Sequence, residues 1–208
     1  MEWERVPNQV RLRGIVVGEP MFSHENRGER YEVFELAVER LSGTVDRLPV
    51  MRNEKSELEI KAGMNLEVVG ELRSFNNKSG QGRRLILTVY SKSIVLAEGP
   101  PMNELCLEGA ICKPPAARRT PLGREICDFI LAVNRKYGRA DYLPCIAWGR
   151  LSGEVAAQEV GSRIRLEGRL QSRTYIKTEN GINEERTAFE VSVMQLKVLD
   201  YETAIFPI

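Results

Sequence analysis

The chain is poor in the side chains that most enzymes use. Its single histidine, His24, sits in a turn-like stretch, FSHENRG, with no Ser/His/Asp set, P-loop or metal-ligand spacing to join it. The four cysteines, Cys106, Cys112, Cys127 and Cys145, stand at spacings unlike C-x-x-C pairs. That argues against a zinc site and reads instead as small apolar core residues in a reducing cytosol. Gly80-Gln81-Gly82 lies at a hairpin tip with no helix after it, so it is no phosphate cradle. There is no run of about 18 apolar residues, so no membrane span is expected. The opening MEWERVPNQV lacks the basic-then-apolar order of a signal peptide. Net charge is only +1, so a surface that attracts a polyanion must be local. Together these absences point away from catalysis, metals, cofactors and small-molecule substrates.

An internal repeat is present. Asn8, Gly14, Pro20, Gly28, Phe34, Leu36-Ala37-Val38, Arg40, Gly43, Asp46 and Pro49 each recur 95 positions later, as Asn103, Gly109, Pro115, Gly123, Phe129, Leu131-Ala132-Val133, Arg135, Gly138, Asp141 and Pro144. The offset then becomes 98, so that Gly70-Glu71-Leu72-Arg73-Ser74 matches Gly168-Arg169-Leu170-Gln171-Ser172. The extra three residues fall before Gly161, where the second copy holds a short helical segment, Leu151 to Glu159. The chain therefore reads as two domains, 1–98 and 99–208, joined by a short, stiff linker, Ala97 to Pro101.

Each copy is rich in alternating and short apolar runs bounded by turn residues. VRLRGIVV breaks at Gly18-Glu19-Pro20, YEVFELAVER and MNLEVVGEL follow, and LILTVYSKSIVL returns after a hairpin tip. About five strands and at most one short helix per copy suit a small closed all-β barrel, with Gly14, Gly70, Gly109 and Gly168 at its bends. In the second copy, Tyr137 and Tyr142 lie among Arg135, Lys136 and Arg139, inside a polar hairpin rather than in an apolar run. Rings interleaved with guanidinium groups suit stacking on unpaired bases, and two tyrosines that merely cap a hairpin would look the same. After Gly161, Ile164, Leu166, Gly168 and Leu170 share one face; Arg163, Arg165, Glu167, Arg169, Gln171, Arg173 and Tyr175 share the other. A solvated outer face is the plain alternative to a binding stripe.

LAVNRKYG, then CIAWGRL, then GSRIRLEGRLQSRTY resembles, in order, the strands of the bacterial single-stranded DNA-binding protein family. An N-x-V-x-L-x-G-type opening strand and a TPxG turn, here Thr120-Pro121-Leu122-Gly123, precede them in that family. The resemblance covers Asn103 to Leu199, about half the chain, and a weaker copy covers much of the rest. It implies two tandem oligonucleotide/oligosaccharide-binding (OB) barrels and a sequence-nonspecific hold on single-stranded DNA in replication, repair or recombination. It also implies a cytoplasmic, nucleoid-associated place and a homodimer that brings together four barrels. The apolar ending Ile205-Phe206-Pro207-Ile208 is expected to pack on a partner barrel. A protein-interaction scaffold of a primosome-like assembly is the rival reading.

In that family, aromatics at the places of Tyr137, Tyr142, Trp148 and Tyr175 stack on bases. Phosphate contacts are assigned to Arg118, Arg119, Arg135, Lys136, Arg150, Arg165, Arg169, Arg173 and Lys177. In the first copy, Tyr137, Tyr142 and Tyr175 become Ser42, Arg47 and Asn77, Trp148 becomes approximately Asn53, and the stripe becomes Asn65, Glu67, Val69, Glu71, Arg73, Phe75 and Asn77. The second copy is thus expected to bind, and the first to be a degenerate scaffold.

Overall fold

The structure, a computed structural model, describes residues 6–56, 58–76, 85–135, 138–179 and 182–199. Lys136, Tyr137, Asn77, the Gly80-Gln81-Gly82 tip, the Ile205–Ile208 ending and the Lys177 side chain lie outside them.

The first half is built from β1 (Asn8–Asn26), β2 (Glu29–Glu39), β3 (Val45–Asn53), β4 (Asn65–Asn76) and β5 (Leu85–Leu96). The second is built from β6 (Met102–Ile111), β7 (Ala116–Arg119), β8 (Glu125–Asn134), β9 (Ala140–Trp148), α1 (Arg150–Ala156), β10 (Arg163–Glu179) and β11 (Ile182–Val198). In the first half β1, β2 and β3 pair antiparallel in turn. A short parallel pairing joins β3 to β5, and β5–β4–β1 closes the ring. The second half repeats this circuit with β6, β8, β9, β11 and β10. Both halves are therefore closed five-stranded barrels.

Alternation explains the cores. Along β4, Leu66, Val68 and Leu72 point inward; along β10, Ile164, Leu166 and Leu170 do the same. Repeat-equivalent leucines (Leu12 and Leu107, Leu36 and Leu131, Leu48 and Leu143) are all fully buried. Truncating one such leucine to alanine costs about 2–5 kcal/mol. The helix expected in the second copy is α1, which inserts buried Val155 at the barrel end. Among the described residues the first copy has no helix there; its buried Ile60 comes from irregular backbone. The proline pairs also act differently. β1 runs through Gly18-Glu19-Pro20 with only a register shift between Val17 and Met21, where a strand break was expected. In the second copy Pro114-Pro115 does break the strand, into β6 and β7.

The four mid-strand glycines sit where backbones nearly touch. A Cβ on Gly14 would run into the Ala37 carbonyl oxygen, and one on Gly109 into that of Ala132. Gly70 and Gly168 face the carbonyls of Tyr90 and Ser192 in the same way. The β4–β5 and β10–β11 registers shift at these two glycines, so the bulges that bend the barrels fall at matching places.

The barrels are joined by antiparallel pairing of β1 with β6, centred on Val10 opposite Leu105. Those two residues are repeat equivalents, so a pseudo-twofold axis passes between them. Asn8 bridges to both backbone groups of Leu72 (2.8 and 2.8 Å), and Asn103 does the same at Leu170 (2.6 and 3.0 Å). Further along the seam the axis generates two reciprocal clamps. Asp46, fully buried, accepts from Arg40 Nε and Nη2 (both 2.6 Å) and from the amide and hydroxyl of Ser172 (2.7 and 2.8 Å). Asp141, equally buried, accepts from Arg135 and from the Ser74 amide (2.6 Å). Each arginine also donates to the carbonyl of the serine it faces, Arg40 at 3.1 Å and Arg135 at 3.0 Å.

Candidate nucleic-acid interface

A groove of about 580 Å³ opens on the second barrel where β7, β8, β9, β10 and β11 converge. Trp148, 36% exposed at the end of β9, forms one wall together with Ile126 and Ile146. Arg118, Arg124, Arg169 and Arg173 surround it, and Arg40 reaches in from the first barrel. Among the described residues, Glu190 is the one carboxylate lining the groove. It accepts from Gln171 (2.8 Å) and lies 3.7 Å from Arg173. Arg118 is paired with Asp128, whereas Arg124 and Arg169 have no ion pair among the described residues. The Arg169 Nε is buried with no hydrogen-bond partner among the described residues, so part of its donor capacity is uncommitted. Among the described residues, five guanidinium groups and one carboxylate around an open indole make a concave, locally cationic surface on a chain whose net charge is only +1.

The sequence-predicted residues divide. Trp148, Arg118, Arg169 and Arg173 come together in the groove. Tyr142 is 51% exposed but stands at the seam, its amide donating to Ser74 Oγ (2.8 Å). Tyr175 is half-buried on the β10–β11 arm opposite Arg186, with the Arg173 guanidinium 5.7 Å from its ring centre. Arg119 pairs with Glu125 (2.9 Å) and Arg150 with Glu154, both in solvent and outside the groove. Arg165 lies at the far end of β10, between Glu108 on β6 and Lys197 on β11. Arg135, also expected to meet phosphate, does not line this groove. It is held by Asp141 and the Ser74 carbonyl, and it lies 5.4 Å over the Phe75 ring, because the β8–β9 hairpin docks on the first barrel instead of projecting.

Arg124 and Arg40 were not anticipated. Arg124 follows the TPLG turn, and only the β7–β8 pairing brings that turn over the groove. Arg40 is the repeat equivalent of Arg135. The offset pointed to it, but its placement depends on the twofold seam.

The matching places on the first barrel hold other chemistry. Ser23, Glu29, Glu71 and Phe75 replace Arg118, Arg124, Arg169 and Arg173, and Asn53 stands for Trp148. Glu71 is paired with Arg73 and Lys92. Glu67 is held by Arg13 (2.5 Å) and Arg11 (3.0 Å), which keep its carboxyl below the usual range. Tyr31 is buried beneath His24, the rings stacked 4.9 Å apart. A hydrogen bond with Tyr90, then burial, pushes the Tyr31 phenol up to about 12. Phe75 is covered by Arg135. The first barrel thus has aromatics, but Tyr31 is covered by His24 and Phe75 by Arg135 of the second barrel.

The four cysteines are all free thiols; Cys106, Cys127 and Cys145 are buried, and burial pushes each of their thiols up. Among the described residues no group of three or more histidines, cysteines and carboxylates could hold a metal, and no helix is long and apolar enough to cross a membrane.

Two closed five-stranded barrels of this strand order place the molecule in the class of tandem OB-fold proteins. The family model described as "Single-strand binding protein family" matches residues 102–199. Over 88 residues the chain is 33% identical to single-stranded DNA-binding protein B of Bacillus subtilis, covering 39% of this chain and 77% of that one. It is 34% identical over 100 residues to the single-stranded DNA-binding protein of Halalkalibacterium halodurans (45% of this chain, 56% of that one). This chain belongs to the single-strand binding protein family. It spans about half the length of most of the curated relatives it matches. The fold of the whole chain is similar to that of the crystal structure of single-stranded DNA binding protein from Thermus aquaticus (TM-score 0.77, 21% identity, 96% of both chains covered).

Proposed function

We propose that the protein binds single-stranded DNA without sequence specificity, through the groove of the second barrel. The observation that carries this is the gathering of Arg118, Arg124, Arg169 and Arg173 around Trp148, where the first barrel has Ser23, Glu29, Glu71 and Phe75. Bases stack on Trp148, at about 1–3 kcal/mol per base, while the guanidinium groups meet phosphates. Tyr142 and Tyr175 extend the stacking surface along the seam and the arm, with Arg119, Arg150 and Arg165 as outlying phosphate contacts. Lys136, Tyr137 and Lys177 complete the proposed set. Residues 1–98 act as the scaffold and 99–208 as the binding domain, and a homodimer presents four barrels. On this reading the protein is a cytoplasmic, nucleoid-associated binding protein without catalytic activity. It shields unpaired strands during replication, repair or recombination.

Titration with oligo-dT at low salt tests the proposal. Tryptophan emission should be quenched on binding and recover as salt rises, and Trp148→Phe should abolish the quench. Emission that does not respond to oligo-dT would instead favour a protein-interaction scaffold.

A further inference from the structure

The groove on the second barrel is not built from the second copy alone. Arg40, at the end of the β2–β3 hairpin of the first copy, crosses the seam and lines it beside Arg173 and Glu190. Its Nε and Nη2 are committed to Asp46 and the Ser172 carbonyl, while Nη1 makes no hydrogen bond among the described residues. Asp46 holds both the amide and the hydroxyl of Ser172, which lies between two groove residues, Gln171 and Arg173. The twofold counterpart, Arg135 with Asp141, holds Ser74 by the same kind of contacts, but beside Phe75 and outside this groove.

Resting on the reading of that groove as the single-stranded DNA site, we propose that the first barrel contributes two residues to it. Arg40 is an added phosphate contact. Asp46 is a positioning residue that holds β10 so that Arg169 and Arg173 face the strand. A fork held on two sides is already ordered before the strand arrives, so little side-chain freedom is lost on contact. The nominal scaffold is then a structural part of the binding site, and the seam's approximate symmetry is broken in function.

The symmetry supplies the control. Labelled oligo-dT is titrated by fluorescence anisotropy against the full chain and against Arg40→Met, Asp46→Asn, Arg135→Met and Asp141→Asn, each with its melting temperature. Both pairs remove an arginine–aspartate clamp on the facing serine, so all four substitutions should lower the melting temperature. Affinity should drop about tenfold for Arg40→Met and Asp46→Asn, and by less than about twofold for the Arg135 and Asp141 variants. The salt dependence separates the roles. For Arg40→Met the slope of log affinity against log salt should shrink by about 0.7, one phosphate's worth on a single strand; for Asp46→Asn it should stay unchanged. Should Arg40→Met not fold, Arg40→Lys, which keeps the charge and loses the fork, should bind more weakly than the parent with its slope intact. Equal affinity losses in the two pairs would overturn the inference, as would an Arg40→Met slope equal to the parent's. An unmutated chain that does not bind oligo-dT would instead sink the underlying reading of the groove.

Discussion

Position for position, the two barrels share a framework and differ in what covers it. Leu12 and Leu107, Gly70 and Gly168, Asp46 and Asp141 occupy matching places, each aspartate holding the arginine of its own hairpin and the amide of the facing serine. Around the groove, the second barrel presents Arg118, Arg124, Arg169 and Trp148 where the first presents Ser23, Glu29, Glu71 and Asn53. Charge reverses at two of these four places, and Glu71, Tyr31 and Phe75 are already engaged by Arg73 and Lys92, by His24 and by Arg135. Duplication preserved the residues that a closed barrel requires. The surface around them diverged, because an exposed side chain there affects the barrel's stability little.

The strongest way to break the comparison is to transplant one groove onto the other. Replacing Arg118, Arg124 and Arg169 by the first-barrel residues Ser, Glu and Glu should weaken oligo-dT binding at least about 100-fold and flatten the salt slope by about 2. The barrel should keep its melting temperature within a few degrees, since none of the three side chains is core. An affinity close to the parent's would place the strand elsewhere.

The shared framework should respond equally in both halves. Gly70→Ala and Gly168→Ala force a Cβ against a carbonyl oxygen at the bulge, and each should destabilise by about 2 kcal/mol in urea denaturation. A large cost in one half and none in the other would mean that the bulges are not equivalent.

Trp148→Asn, again the first-barrel residue, should reduce oligo-dT affinity about tenfold with an unchanged salt slope. Loss of a ring removes stacking and leaves the cations in place. A change in slope would show that Trp148 acts by positioning Arg118 or Arg173.

Much of the framework was legible in the sequence. The glycines, the alternation on β4 and β10 and the constant offset come from period-two patterning and backbone contact, which are local properties. Which cations meet in the groove was only partly legible. Along β10 a strict alternation puts Arg165 and Arg169 on one face, but strand coiling past the Gly168 bulge separates them. Arg135 and Arg40 were the larger surprise. Both ride on hairpins that cross the pseudo-twofold seam, so each stands near the other copy's β-strand. A linear repeat says which residues correspond, and the symmetry operator between the copies decides which barrel each one serves.

The smallest expected effect concerns acid. Burial alone would push the Asp46 carboxyl up, but hydrogen bonds from Arg40 and from the Ser172 amide and hydroxyl more than offset this and hold it below the usual carboxylate range. A folded-state value below the unfolded one of about 3.9 stabilises the protein in full above that pH, and the stabilisation is lost as pH falls through the folded value. Asp46→Asn should therefore melt lower than the parent at pH 7. Its further decline as the pH falls below the usual carboxylate range should be shallower, so that the gap between the two narrows. Glu67, also held low by Arg13 and Arg11, titrates in both proteins and cancels in the difference. If the two melting curves fall in parallel, the seam carboxylate is not linked to folding. The reciprocal clamps would then be contacts of geometry rather than of charge.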